Sequence, residues 1–346
     1  MVRLADMGPC AARIKHNEPR DSHYRRAEAS PPLRFDPSVM SASASQTPLP
    51  PPRVLVIGDV MTDVIVQPEG PIVPGSDRRA RIGLYPGGSA CNQAAWLAHL
   101  GIPVALAGKV GRRDAEAQAA ALREAGVTPR LGIDETRGTG MLIALISEGG
   151  QRSFLTDRGA NDALSIEDLP VSLLAGLDLV HVSGYALFTP GPRAAVMSLM
   201  AVARSRGIAV TVDPASVGFL DEVGRDNFLG WTRDATILFP NEDEAAFLAG
   251  SSDPLTQIRF LTERYGLVAV KRGAAGAEVA SPHLRLKAAP PAVDVVDTTG
   301  AGDAFLAGFL AARLTGQGIE QCLAAGVAAG ASATTVVGGR PPARAA

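Results

Sequence analysis

One short run holds the residues that could move a proton beside a phosphate. It reads Val295-Val296-Asp297-Thr298-Thr299-Gly300-Ala301-Gly302-Asp303-Ala304-Phe305-Leu306-Ala307-Gly308-Phe309. A β-branched stretch enters a turn rich in Gly and Thr, and an apolar, helix-forming stretch leaves it. Small residues let the backbone bend tightly and come close to a ligand. Amides at a helix start have no internal partners, so Gly300, Ala301 and Gly302 can cradle an anion. Asp303 falls in that first turn. A carboxylate beside a phosphate cradle suits a base that deprotonates an attacking hydroxyl. A first-turn Asp also favours the helix dipole and should stay ionised at neutral pH.

Four further groups carry polar chemistry. Gly87-Gly88-Ser89-Ala90-Cys91-Asn92-Gln93-Ala94-Ala95 joins a Gly pair to an amide. The Gly87-Gly88 pair permits positive φ and close ligand approach. Asn92 offers a donor and an acceptor, which suits vicinal hydroxyls. Asp59 and Asp63 follow the first strand pattern, where a short carboxylate can accept two hydroxyl hydrogen bonds. An Asx cap of the turn explains Asp59 equally well. Asn241 and Glu244 lie in Pro240-Asn241-Glu242-Asp243-Glu244, which also reads as an N-cap with an acidic first turn. Lys271, Gly273 and Gly276 follow a strand pattern in Val270-Lys271-Arg272-Gly273-Ala274-Ala275-Gly276. Lys271 is placed to reach a phosphate or to sit as a solvated charge.

Together these strings resemble the two signatures of the PfkB, or ribokinase-like, family of carbohydrate kinases, in family order over about residues 54–339. The resemblance implies ATP-dependent, Mg²⁺-requiring phosphorylation of a hydroxyl on a small sugar or sugar derivative. It implies Asp303 as catalytic base, with Gly300, Ala301 and Gly302 as the anion hole. Asp63 takes the position that holds the sugar, beside Asp59, Gly87, Gly88 and Asn92. Asn241 and Glu244 match the N-x-x-E motif that organises Mg²⁺ through its waters; Mg²⁺ needs few protein ligands. The loop bearing Lys271, Gly273 and Gly276 comes close to ATP in similar kinases. Some members bind K⁺ at positions that Asp297 and Thr299 resemble. The stretch from Gly108 to Asp114 also resembles a family motif, with a structural role.

Departures from the pattern narrow the substrate. Met61 stands where ribokinase itself carries an Asn, which argues against free D-ribose. Arg158, in Asp157-Arg158-Gly159-Ala160-Asn161, resembles the arginine by which keto-deoxygluconate kinases hold a sugar acid. The second arginine expected after Asp213-Pro214 is replaced by Ala215-Ser216-Val217-Gly218. Residues 322–332 contain no Asn, the residue that often approaches adenine in relatives.

The elements that must position these groups alternate. Residues 53–58 read as a buried strand, and a helix opens after Gly88 and closes at Gly101. Strands are expected at 104–107, 177–182, 209–213, 235–239 and 268–270, with helices at 115–125, 192–206, 242–249, after Gly302 and at 320–335. Such a rhythm gives a three-layer α/β/α fold around a mostly parallel sheet. Two excursions, at 61–85 and 138–158, do not fit that sheet and are expected to make a small β-sheet lid. The second has a hairpin turn at Glu148-Gly149-Gly150. Ligands on this fold bind at the carboxyl ends of strands, and the motifs all follow strand patterns.

Composition limits the classes. The chain has 346 residues, 46% apolar and 20% charged, with net charge −2. That is a globular balance without the basic excess of a nucleic-acid binder. Three cysteines, Cys10, Cys91 and Cys322, show no disulfide or zinc spacing. A reducing cytoplasm is the expected location. No apolar run is long enough to span a bilayer. Residues 1–50, rich in Pro, Ser and Ala, are expected to be disordered, with the kinase domain at 51–340. The natural start is expected at Met40. Arg25-Arg26 lacks a following apolar segment, so an export signal is not expected. A homodimer through the lid is implied by the resemblance. Two alternatives remain at this stage: a nucleoside kinase of the same family, and a non-catalytic sugar-binding regulator. A Rossmann oxidoreductase lacks its G-x-G-x-x-G, and no P-loop occurs.

Overall fold

Val54 to Ile57 are all buried, because helices cover both faces of the strand they form. The structure, a computed structural model, describes residues 50–51, 53–146 and 152–342. The N-terminal segment expected to be disordered, Met40 within it, and the turn at Glu148-Gly149-Gly150 lie outside the described residues.

In chain order the strands are β1 (Val54–Ile57), β2 (Met61–Pro68), β3 (Ala80–Gly87), β4 (Val104–Gly111), β5 (Thr128–Asp134), β6 (Gly140–Ile146) and β7 (Arg152–Asp157). Then come β8 (Leu179–Ser183), β9 (Ala209–Asp213), β10 (Ile237–Leu238), β11 (Leu267–Lys271), β12 (Ala277–Ser281) and β13 (Leu284–Ala288). The helices are α1 (Ser89–His99), α2 (Ala115–Glu124), α3 (Pro190–Ser205), α4 (Val217–Val223), α5 (Arg225–Thr232), α6 (Glu242–Ala249), α7 (Pro254–Thr262), α8 (Ala301–Leu314) and α9 (Ile319–Ala333).

Nine strands form one sheet in the order β13-β12-β11-β10-β9-β8-β1-β4-β5. It is parallel from β5 to β11, and β12 and β13 add an antiparallel edge. Alternate residues of β1 feed two cores. Val54 and Val56 pack with α1, α8 and α9, and Leu55 and Ile57 pack with α3, α6 and α7. A smaller sheet has the order β3-β2-β6-β7. Its outer pairs are antiparallel, but β2 and β6 run parallel, so the two excursions join side by side as one lid.

Several elements escape the sequence reading. β5 is interrupted by Pro129 and Gly132, and β10 has only two residues. The β12–β13 hairpin carries charge inward at Glu278. The short helices α4 and α5 share Gly224 as a cap, and α7 starts on the Asp253 cap.

The chain leaves β1 toward β4 and β5, then returns to β8 on the other side of β1. That reversal opens a crevice at the carboxyl ends of β1 and β8. Helix α1 starts there. Gly88 has φ +93°, and a Cβ on it would lie 2.6 Å from the Asp59 carbonyl oxygen. The Asp59 carboxylate accepts from the amides of Ser89 at 3.0 Å and Ala90 at 3.3 Å, capping a helix thirty residues away.

Glu278 is wholly buried on β12 and pairs with Arg272 at 3.2 Å and with Arg285. These pairs brace the hairpin that follows β11. Glu278→Ala should lower unfolding free energy by about 3 kcal/mol, since it strands a nearly buried guanidinium. Urea denaturation at neutral pH measures this.

Candidate active site

Asp303 sits in the first turn of α8, behind Gly300 in the left-handed conformation at φ +74°. A Cβ on Gly300 would lie 2.5 Å from the backbone of Gly339, so the C-terminal segment packs directly on this turn. The carboxylate is held from α1. Ser89 Oγ donates to Oδ1 at 2.7 Å, Gln93 Nε2 to Oδ1 at 3.0 Å, and Asn92 Nδ2 to Oδ2 at 3.3 Å. Burial, then the nearby Asp213 charge, push its pKa up to about 7, against the pull of Ser89, Lys271 and Asn92. Burial thus works against its ionised form. The expectation of a fully ionised first-turn Asp misses the desolvation. The Ala301 amide leans on the Thr298 carbonyl at 3.3 Å, whereas no acceptor among the described residues takes the Gly302 amide.

Lys271, at the end of β11, is nearly buried and pairs with Asp213 at the end of β9 at 2.7 Å. Burial works against its charge, yet Asp213 and Glu244 more than offset that and hold its pKa above the ordinary lysine value. It is not a solvated surface charge. A Cβ on Gly302 would meet the Lys271 side chain at 3.5 Å, so the ammonium lies beside the start of α8. Asn241 and Glu244 form a reciprocal capping box on α6. Asn241 Oδ1 accepts from the Glu244 amide at 2.8 Å, and Glu244 accepts from the Asn241 amide at 2.8 Å and from Nδ2 at 2.7 Å. Glu244 is buried, and that burial raises its pKa.

Across Asp303 lies a second polar group. Asp63, on the lid strand β2, fits against Gly87, where any Cβ would overlap its carboxylate. Burial and the Asp59 charge raise its pKa to about 6, while Arg340 pulls it down. Arg340 comes from the C-terminal segment, next to Gly339, whose carbonyl accepts from Trp96 Nε1 at 3.0 Å. The Arg340 charge works against the burial that raises the pKa of the Cys91 thiol. Two buried atoms here have no hydrogen-bond partner: Asn92 Oδ1 and Arg340 Nε. Asp59, by contrast, spends its carboxylate on the α1 amides and on Ser183 Oγ at 3.3 Å.

A cavity of about 920 Å³ runs from Ser89, Tyr185 and Asp303 past Asp213, Glu244 and Lys271. Asn241, Gly273, Gly276, Gly300, Ala301 and Gly302 line it too, so the predicted nucleotide-side residues share one space. Pro290, Pro291, Ala292, Val293 and Val295 give it an apolar wall together with Val327, Gly330 and Ala331 of α9. Asp297 is buried and accepts from the Thr299 amide at 2.8 Å and the Gly338 amide at 3.0 Å, tying the turn to the C-terminal segment. Arg158 is turned to Asp162 at 2.9 Å and to the Tyr185 carbonyl at 2.9 Å.

Sequence reasoning missed Ser89, Gln93, Tyr185, Asp213, Arg340 and the 290–295 loop. Ser89 and Gln93 lie inside the Gly87–Ala95 string, one helical turn apart, a spacing that puts both on one face. Arg340 and Tyr185 leave no local signal.

A carboxylate at a helix start shares one cavity with a nearly buried lysine, on the mostly parallel α/β sheet with a separate small sheet that ribokinase-like kinases have. Residues 51–346 match the model of the pfkB family carbohydrate kinases, and the chain belongs to that family. It is 33% identical over 284 residues to an ATP-dependent ribose-1-phosphate kinase from Halopiger xanaduensis, covering 81% of this chain and 90% of that one. Among solved structures, an adenosine kinase from Sinorhizobium meliloti superposes with TM-score 0.76 at 26% identity, over 84% of this chain and 95% of that one. An E. coli protein described as ribokinase II, solved with ATP and Mg²⁺, gives TM-score 0.75 at 26% identity over 83% and 94%.

The raised pKa of Asp303 sets a sign. A base works only ionised, so kcat/KM for the acceptor should fall tenfold per pH unit below about pH 7 and level off above it. Steady-state rates between pH 5.5 and 9 check this, and a flat profile down to pH 5.5 would contradict it.

Proposed function

We propose that this protein transfers the γ-phosphoryl group of ATP to a hydroxyl of a small sugar or sugar derivative, with Asp303 as general base and residues 51–340 as the catalytic domain. One observation carries the reading. Asp303, Gly302 and Lys271 line one cavity, which Pro290, Pro291, Val293, Val295 and Val327 also line with apolar surface. The acceptor hydroxyl meets Asp303, which takes its proton as the oxygen attacks the phosphorus. Gly300 and Gly302 direct amides, and Lys271 its charge, at the transferred group. Ala301 joins them once its amide leaves Thr298. Lys271, Gly273 and Gly276 form the ATP-side wall with Asn241.

The donor set fits Mg²⁺. Asp213, Glu244 and Asp303 face the cavity with Lys271 as the cation among them, an oxygen-rich wall of the kind that suits a hydrated Mg²⁺. No tight cluster of three or more ligating side chains occurs among the described residues. Glu244 therefore holds the ion through water, as Mg²⁺ permits. When bound, Mg²⁺ neutralises phosphate charge. A K⁺ ion near Asp297 and Thr299 belongs to the same proposal, but two amides already cap that carboxylate and no step relies on it.

The acceptor lies between Asp63, Asn92 and Arg340, with Gly87 and Gly88 as its floor. Asp63 and Asn92 Oδ1 accept from sugar hydroxyls, and Arg340 donates to an acceptor oxygen. Arg158 frames the pocket through Tyr185 rather than binding the acceptor, and Asp59 serves it by holding α1. Ribose units appear in the names of two relatives, as a sugar phosphate and within a nucleoside. Ribosyl compounds therefore head the candidates, ahead of free ribose. The lid leaves Ile82, Leu84, Phe154 and Leu155 more than half exposed, and a second copy of the chain is the partner we propose for that face. A cytoplasmic location supplies ATP and keeps the buried thiols of Cys91 and Cys322 reduced. Among the described residues no helix is long and apolar enough to cross a membrane.

An ADP-release screen against pentoses, hexoses, sugar acids, sugar phosphates and nucleosides tests the class, and no response to any of them would refute it. With the best acceptor, Asp303→Asn should cut kcat by roughly 10²- to 10⁴-fold with an unchanged circular dichroism spectrum; near-normal turnover would remove Asp303 from the role. Arg340→Gln should raise KM for the acceptor about 10- to 100-fold and leave KM for ATP within twofold. Equal effects on both substrates would place Arg340 outside the acceptor pocket.

A further inference from the structure

Beyond the substrates, Asp303 is wired into the protein core. Gln93, wholly buried on α1, donates through Nε2 to Asp303 Oδ1 and to Ser89 Oγ, each at 3.0 Å. Its Oε1 lies 3.1 Å from Nε2 of His181. Nδ1 of His181 lies 2.9 Å from Thr211 Oγ1. His181 and Thr211 stand directly opposite each other on β8 and β9, and neither is exposed at all.

With Asp303 ionised, as a base must be, one proton arrangement satisfies every group in this chain. An amide donates through nitrogen and accepts through oxygen. With Gln93 donating to a carboxylate, its oxygen faces His181, which must donate from Nε2. A neutral imidazole then accepts at Nδ1, so the Thr211 hydroxyl must donate. Burial lowers the His181 pKa to about 4, keeping the ring neutral where the enzyme works. A flipped Gln93 would press its oxygen against the ionised Asp303 carboxylate, two acceptors with no proton between them.

We propose that Gln93 is a positioning residue for the catalytic base, locked in its donating orientation by His181 and Thr211. The proposal rests on reading Asp303 as that base. Other groups facing Asp303 do not do this work. Asp213 and Lys271, from β9 and β11, are engaged with each other, and Tyr185 approaches from the loop after β8. From α1 only neutral donors arrive. Ser89 can rotate its hydroxyl, and Asn92 donates over the longest distance, 3.3 Å. Gln93 alone is fixed at both ends of its amide. It therefore fixes the direction from which Oδ1 is hydrogen-bonded.

The test compares variants that break the chain with one that keeps it. In Gln93→Leu, losing a donor to a carboxylate should move the acid limb of kcat/KM up by about one pH unit. At pH 7, kcat should fall roughly fivefold with KM for ATP unchanged. His181→Leu and Thr211→Val should shift the limb the same way by less. His181→Gln, which restores an N–H toward Gln93, should bring it back. Leucine variants whose melting temperature falls while the acid limb stays in place would overturn the proposal and leave a structural role. Should those variants fail to fold, ¹⁵N NMR of the unmodified protein decides. His181 must be a neutral Nε2–H tautomer down to about pH 5, and an Nδ1–H tautomer or a charged ring overturns the proposal. An active Asp303→Asn sinks the base assignment itself. An inactive one with an unmoved limb in Gln93→Leu sinks only the wiring.

Discussion

A carboxylate held out of water at the start of a helix is the constraint around which this molecule is arranged. Ionised, Asp303 gains from the α8 amides but loses most of its hydration. The remainder comes from α1, and α1 can supply it only if its own first turn is fixed. Asp59 fixes it by accepting from Ser89 and Ala90. Gly88 allows the approach, since any side chain there would strike the Asp59 carbonyl. The C-terminal segment closes the knot. Gly339 packs on Gly300 and on Asn92, Trp96 holds the Gly339 carbonyl, and Asp297 holds the Gly338 amide. Four stretches far apart in sequence thus meet within one turn of Asp303.

Electrostatics on the nucleotide side look unfavourable for an anion until the balance is drawn. Three carboxylates, Asp213, Glu244 and Asp303, face one ammonium. A phosphate chain alone would add to the repulsion. Asp213, however, is neutralised by Lys271 at 2.7 Å, and Glu244 is tied into its capping box. The groups left facing the phosphates are the free amides of α8, the outer side of the Lys271 charge and the Asp303 carboxylate. A divalent cation, if held beside Glu244, would offset part of the phosphate charge, so that the nucleotide adds less repulsion to Asp303 than it would alone.

Much of this was written locally in the chain. The helix start at Gly300 and the Asp in its first turn are contiguous, and so is the Asn241–Glu244 box, because both are products of backbone geometry over four residues. Alternation of strands and helices gave the main sheet and the separate lid. What stayed hidden depends on contacts between remote positions. Gln93 meets His181 across 88 residues and Asp303 across 210. Arg340 sits beside Asp63 only because the tail folds back over α1. The pKa of Asp303 was unreadable for the same reason: desolvation is a property of what packs around a group. β5 and the β12–β13 edge were missed because interior Pro, Gly and charge mask strand periodicity.

The two substrates meet different kinds of surface, and this bears on specificity. In the proposed reading the nucleotide side belongs to the three-layer body, and the acceptor side is divided between that body and the small sheet, since Asp63 lies on β2 while Asn92 and Arg340 do not. Asn161 pins the base of the lid: its Oδ1 accepts from the Val60 amide and its Nδ2 donates to the Val60 carbonyl, both at 2.9 Å. Asp63 is three residues beyond that anchor. A small rotation of β2 about Val60 would displace the Asp63 carboxylate relative to Arg340 while leaving Asp303 in place. The chemistry of transfer is thus insulated from the choice of acceptor: lid substitutions can retune which sugar fits without disturbing the hydrogen bonds that aim the base.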